Sequence, residues 1–184
     1  MLIDRHTDIA AEKTKAIMTT PERMQLREEF LEAMSQLVSS VTIVTTDGPA
    51  GAAGATVSAM TSVSADGDTP TMLVCLHHET TAAPAILANR CFCINVLGAD
   101  QVEIANVFAS RAAAPGGDKF AAGPFEPMQT GAPGLTTALA RFDCKLLSDE
   151  RIGTHHVMIG AVCKVSGLDG KPLLYGNRAY QALA

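Results

Sequence analysis

The sequence predicts a mainly β domain with flanking helices, built as an antiparallel barrel. Three observations predict it. At least seven short runs rich in valine, isoleucine and threonine read as strands. Asp47-Gly48 and Asp169-Gly170 are tight-turn signals between such runs. The helical patterns are few and short, and they do not alternate with the strands as a doubly wound parallel sheet requires.

Taken in order, Met1–Thr19 is polar and weakly patterned, and residues 1–20 are expected to form an N-terminal extension to a domain spanning 21–184. Thr20-Pro21-Glu22 reads as a helix start, with Thr20 as cap and Pro21 in the first position. Phe30, Leu31, Met34, Leu37 and Val38 follow at helical spacing, so Pro21–Leu37 is expected to be amphipathic and to seal one end of the domain. Val41–Thr46 is β-branched and reads as a strand. Gly54–Ala59 is expected to return antiparallel to it, and Thr61–Ser64 to continue after a kink. Ala65–Pro70 is a loop, and Thr71–Leu76 a buried strand.

Ala82–Ala88, with Pro84 in its first turn, reads as a short helix capped within Thr80–Ala83. Cys91–Leu97 is another buried strand. Asp100-Gln101-Val102-Glu103 has the spacing of a capping box, with a helix running to Phe108. Ser110–Gly117 is an Ala/Gly/Pro loop, and the chain is irregular up to Pro133. Ala138–Leu147 predicts a long strand with Phe142, Cys144 and Leu146 on one face. His155–Val165 returns after a turn, and Pro172–Tyr175 is expected to pair back upon it.

Composition narrows the class. Apolar residues make up 47% of 184 and tryptophan is absent, so the core rests on aliphatic side chains. No apolar run reaches the roughly 18–20 residues that span a bilayer. The charged start MLIDRHTD is not a signal peptide, and a cytoplasmic protein without membrane partners is expected. Net charge is −5 without a basic stripe, which argues against nucleic acid. The same charge means that an anionic ligand needs a local positive field. The five cysteines lack CxxC or Cys/His zinc spacing and read as reduced thiols, and no metal site is expected.

Two stretches carry candidate chemistry. Gly51–Ser64 joins a glycine-rich turn to small and hydroxylated residues. A strand this bare either packs closely on its neighbours or accepts a flat ligand on its backbone. His77–Thr81 (HHETT) links a strand directly to a helix N-terminus, where exposed N–H groups and hydroxyls suit a phosphate or serve as ordinary caps. Of His155 and His156, one must face a groove, because successive strand side chains alternate. No GxSxG, HExxH, P-loop or GxGxxG motif is present, so any nicotinamide chemistry proceeds without a separate Rossmann domain.

The ordered pieces EFLEAM, VTIVTT, DGPAG, GATVSAMTSVS, PTMLVC, CINVL, Lys119-Phe120, TGAP, FDC, GTH and LYGNRAY resemble the short-chain flavin reductases. These are the NAD(P)H:flavin oxidoreductase components of two-component monooxygenases of the 4-hydroxyphenylacetate 3-monooxygenase type. The pyrimidine-degradation flavin reductase and cob(II)yrinic acid a,c-diamide reductase are similar. The resemblance implies a Greek-key, FMN-binding split barrel and a homodimer. It further implies hydride transfer from NADH or NADPH to FMN or FAD, with reduced flavin diffusing to a partner monooxygenase.

By motif, Thr56, Val57, Ser58 and Ala59 would line the flavin. Cys75, His77, Thr80 and Thr81 would surround its phosphate end, with Lys119 or Arg178 adding positive charge. His155 would sit on the nicotinamide side, and Arg178 and Tyr180 would close the pocket. HHETT departs from the usual Asn-, Arg- or Ser-rich turn, and Glu79 would repel a phosphate if it pointed inward. Two other readings are a reductase that retains its flavin and reduces a bound substrate such as a cobalt corrinoid, and a non-enzymatic flavin- or haem-binding module.

Overall fold

The computed structural model describes residues 18–183, which fall into two compact units, one ending at Leu37 and one beginning at Val38. The expected extension over residues 1–20 lies almost wholly outside the described residues.

The first unit contains helix α1, Thr20–Ser35. Its cap is Thr19, one residue before the predicted Thr20. Thr19 is extended, and its N–H and hydroxyl both donate to the Glu22 carboxylate, at 2.6 and 2.7 Å. A glutamate three residues after the cap closes this box, which fixes the start. Within its own unit α1 buries none of its residues.

The second unit is built on a seven-stranded antiparallel sheet. Its strands are β2 (Thr42–Thr46), β3 (Ala53–Val57), β4 (Met60–Ser64), β5 (Thr71–His77), β6 (Cys91–Val96), β9 (Ala140–Ile152) and β10 (His155–Gly167). They lie in the order β3-β2-β6-β9-β10-β5-β4. The two edge strands are consecutive in sequence and joined by Ser58-Ala59. The sheet therefore bends round on itself, and Cys75 N–H donates to Ala59 O at 3.0 Å where the edges meet. The result is an open antiparallel barrel, as the fold reading anticipated.

Strand β2 shows why VTIVTT sits at the centre. All five of its residues are buried. Val44 points into a core with Val74, Leu76, Ile86, Phe92, Ile94 and Met158. Ile43 points the other way, towards Leu97, Phe108, Leu135 and Leu173. The buried threonines are tolerated because their hydroxyls donate to backbone: Thr42 to Val57 O, Thr46 to Cys91 O, and Thr45 to Pro133 O. Each such bond is worth about 1 kcal/mol net, and leaving its acceptor unpaired costs more.

Two short helices pack on the barrel: α2 (Ala82–Asn89) and α3 (Val102–Phe108). The box predicted over Asp100–Glu103 does not form. The cap position is Gln101, whose side-chain oxygen instead accepts from Gly98 N–H at 2.8 Å, while its amide donates to Thr137. A small hairpin, β7 (Phe125–Pro127) with β8 (Pro133–Leu135), was not predicted in the irregular stretch.

Strand β11 (Leu173–Gly176) corrects another expectation. It pairs not with β10 but with β1 (Ser39–Ser40) and with β12 (Ala179–Ala182). The cause is local. Asn177 and Arg178 both take positive φ, at 49° and 59°, and turn the chain straight back into β12.

Candidate functional site

Three hollows meet at Thr56 on edge strand β3. One, of about 230 Å³, runs along Thr56, Val57, Ser58 and Ala59 to Cys75, His77, Thr80 and His155. A larger one, of about 590 Å³, lies between β3, the turn before α2 and the segment after α3. Thr80, Thr81, His77 and Glu79 line one side, and Ser110, Arg111 and Lys119 the other. The smallest, of about 120 Å³, is lined by Val41, Val57, Ala109, Arg111, Tyr175 and Tyr180.

Every sequence-predicted site residue except Arg178 lines one of these hollows. Arg178 sits at the tip of the β11–β12 turn. Arg111 is the residue sequence reasoning missed. It emerges from the Ala/Gly/Pro loop, where no periodicity distinguishes it. Its main chain is held by a 2.8 Å bond from Arg111 N–H to Asn106 O, and its guanidinium lies 5.8 Å over the Tyr175 ring.

The bare strand divides its labour. Gly54 is bare for packing: an added Cβ would lie 2.6 Å from Phe108 and 3.2 Å from Thr45. Thr56 donates its hydroxyl to Ala105 O at 2.7 Å, which ties β3 to α3. Ser58 and Ala59, by contrast, are exposed at the hollow.

The turn before α2 is built by Thr80. Its hydroxyl donates to His77 O at 2.8 Å and accepts from Ala83 N–H at 3.3 Å. Thr81 occupies the N-cap position and its side chain makes no capping bond. Thr80 and Thr81, which lead into α2, line the large hollow, and a helix N-terminus behind such a wall favours an anion. Across it, Lys119 Nζ donates to Phe108 O at 3.2 Å and Ser110 Oγ at 3.0 Å. Burial lowers the Lys119 pKa, because desolvation penalises the ammonium. Glu79 is largely exposed and lies 3.8 Å from His77 Nδ1.

The imidazoles gather at the ends of two paired strands. His155 is the cross-strand partner of His77, with ring centroids 5.1 Å apart edge to face, and His77 stacks on His78 at 4.8 Å. His155 Nδ1 lies 3.1 Å from Thr154 Oγ1. His156 faces the other way and contacts Asp149 at 3.3 Å. Alternation along the strand therefore selects His155 for the hollow. Burial raises the Cys75 pKa, so this thiol is a neutral polar wall rather than a nucleophile.

Chemically, the rim offers a flat strand, hydroxyls, a helix N-terminus and two cations around connected hollows, a donor set that fits a phosphorylated planar ring. An open antiparallel barrel with such a rim defines a class of nucleotide- or flavin-binding barrels. The chain belongs to the flavin reductase like domain family, whose model matches residues 34–184. It is 44% identical over 168 residues to FMN reductase (NADH) RutF 2 of Methylorubrum extorquens, covering 91% of this chain and 95% of that protein. Among solved structures it is similar to the nitrilotriacetate monooxygenase component B homologue of Mycobacterium thermoresistibile, with a TM-score of 0.78 and 27% identity over 88% of this chain and 89% of that one. It is also similar to NADH:FAD oxidoreductase SgcE6 of Streptomyces globisporus, with a TM-score of 0.75 and 26% identity over 91% and 97%.

Proposed function

We propose that this chain is an NAD(P)H-dependent flavin reductase that transfers a hydride from the nicotinamide nucleotide to FMN or FAD and releases reduced flavin to a partner monooxygenase. The observation that carries the reading is the junction of the hollows at Thr56, where a strand rim meets a helix N-terminus faced by Lys119 and Arg111. Family membership and the relative named FMN reductase (NADH) support it. When bound, the flavin supplies the hydride acceptor.

The protein's own residues bind and orient. Ser58 and Ala59 would border the ring, Thr56 and Val57 hold the strand on which it would rest, and Cys75 and His77 form the adjoining wall. Thr80, Thr81 and the first turn of α2 receive the phosphate, with Lys119 opposite. His155 would orient the nicotinamide against the flavin, and alignment of the reacting atoms at a near-attack distance of about 3–3.5 Å would supply much of the rate. Tyr180 closes the far side. Arg178 belongs to this set through the sequence resemblance alone.

Assembly as a homodimer belongs to this reading through the sequence resemblance alone. Five free thiols support a cytoplasmic setting. Among the described residues, no helix is long and apolar enough to cross a membrane.

The test is steady-state NADH oxidation with FMN and FAD varied from zero. Saturable dependence on added flavin is expected. Turnover independent of added flavin by a yellow protein would replace this reading with a retained cofactor. Tight flavin binding without NADH oxidation would leave a binding module.

A further inference from the structure

His78 has no part in the reaction as proposed, and it lines none of the three hollows. Yet it makes two bonds to one atom. Its N–H donates to Thr154 O at 2.9 Å, and its ring Nδ1 lies 2.9 Å from the same oxygen. A carbonyl oxygen only accepts and has two lone pairs, so Nδ1 carries a hydrogen and donates beside the main chain. The N–H bond extends the β5–β10 ladder one step past the His77–His155 pair. The ring bond is an addition that strand pairing does not require.

Thr154 is where this grip matters. Gly153-Thr154 is the two-residue turn between β9 and β10, with Gly153 at a φ of 59°. Both residues are exposed, so burial does little to fix the turn. The Thr154 carbonyl shares one planar peptide with the N–H of His155. Holding that oxygen therefore holds the plane from which His155 leaves the strand. The Thr154 hydroxyl acts at the other end of the residue, 3.1 Å from His155 Nδ1. With Nδ1 engaged there, Nε2 is the ring nitrogen left for a ligand in the hollow.

We infer that His78 and Thr154 are positioning residues for hydride transfer and act through His155. His78 fixes the Thr154–His155 peptide, and the Thr154 hydroxyl fixes the imidazole. The second histidine of HHETT thereby ties the turn before α2 to the GTH turn. The inference rests on the proposed role of His155 at the nicotinamide.

The experiment follows anaerobic single-turnover reduction of FMN by NADH, with enzyme in excess over flavin, beside steady-state KM for FMN and thermal unfolding. The variants are Thr154→Val, Thr154→Ser, His78→Leu, His78→Asn, His155→Ala, and Thr154→Val and His78→Leu each combined with His155→Ala. Thr154→Val and His78→Leu are each expected to slow flavin reduction about fivefold, the size of one net hydrogen bond, with KM for FMN within about twofold of wild type. Thr154→Ser restores the hydroxyl. His78→Asn puts an amide nitrogen where Nδ1 stood, since both nitrogens are bonded to Cγ. Each of these two is expected to recover most of the rate. In the His155→Ala background both losses are expected to shrink below about twofold, because residues acting through one side chain are not additive. Losses that persist undiminished in that background overturn the inference, as do wild-type rates in both Thr154→Val and His78→Leu. A raised KM for FMN in His78→Leu with the reduction rate intact also overturns it, and assigns His78 to the flavin wall through its stack on His77. Loss of the fold in His78→Leu, or a melting temperature that falls with the rate in both His78 variants, makes the contact structural and overturns the role of His78. A His155→Ala protein that reduces FMN at the wild-type rate overturns the placement of His155 itself.

Discussion

The closed side of the barrel, where β6, β9 and β10 run together, and the open rim, where β3 meets β4, use polar residues in opposite ways. On the closed side Asn95 is wholly buried. Its amide nitrogen donates to Ile43 O at 3.1 Å and Thr45 Oγ1 at 3.0 Å, and its oxygen accepts from Leu135 N–H at 2.7 Å. Buried Asp143 likewise accepts from Thr130 N–H at 2.8 Å and Thr130 Oγ1 at 2.5 Å. These contacts turn the FDC and TGAP pieces into one fastening. Burial, with the negative charge of Asp143 added to it, pushes the Cys144 thiol up to about 12. Among the described residues, every buried side-chain nitrogen or oxygen has a hydrogen-bond partner. At the rim, Ser58, Thr81 and His155 are exposed beside hollows. The difference teaches that polarity serves the fold where its bonds close internally, and serves a ligand where they are left open to a cavity.

Breaking the closed side should give the largest effect. Asn95→Leu strands the Leu135 N–H in an apolar interior and removes the side-chain bonds to Ile43 O and Thr45 Oγ1. It should cost about 3 kcal/mol of unfolding free energy by urea titration, since each unsatisfied buried group costs about 1–3 kcal/mol. A loss under about 1 kcal/mol would erase the contrast between the two regions.

A smaller effect is expected at Lys119, which stands between the two behaviours, bonded to the protein yet facing the anion hollow. An anion bound beside it favours the ammonium and raises its depressed pKa. Wild-type FMN affinity should therefore be full below that pKa and fall as pH rises through it. In Lys119→Met, affinity should start about fivefold lower, on the order of 1 kcal/mol, and lose this alkaline decline. An identical alkaline profile in both proteins would remove Lys119 from the phosphate site.

Much of this was legible in the sequence because local chemistry dictated it. Strand β2 is β-branched throughout and so had to be extended, and the alternation of His155 and His156 was readable from strand geometry. Other features depend on contacts distant in sequence. The bare strand left close packing and a ligand platform both open, and only the fold shows that at Gly54 the missing side chain makes room for Phe108. Strand β12 hides in the tail, because nothing before folding shows that Asn177 and Arg178 will adopt positive φ. Arg111 left no local signal at all; only the folded chain brings its loop to Thr56 and lays its guanidinium over Tyr175.

The most direct measurement of the contrast is His155→Ala, assayed in parallel for NADH:FMN turnover and for thermal and urea unfolding. His155 is exposed, and its side chain contacts Thr154 Oγ1 and the His77 ring. The account predicts a turnover rate lowered about tenfold, roughly 1.4 kcal/mol of transition-state stabilisation, with unfolding free energy changed by less than about 0.5 kcal/mol. Stability falling as far as activity, or turnover unchanged, would contradict it and return His155 to the fold.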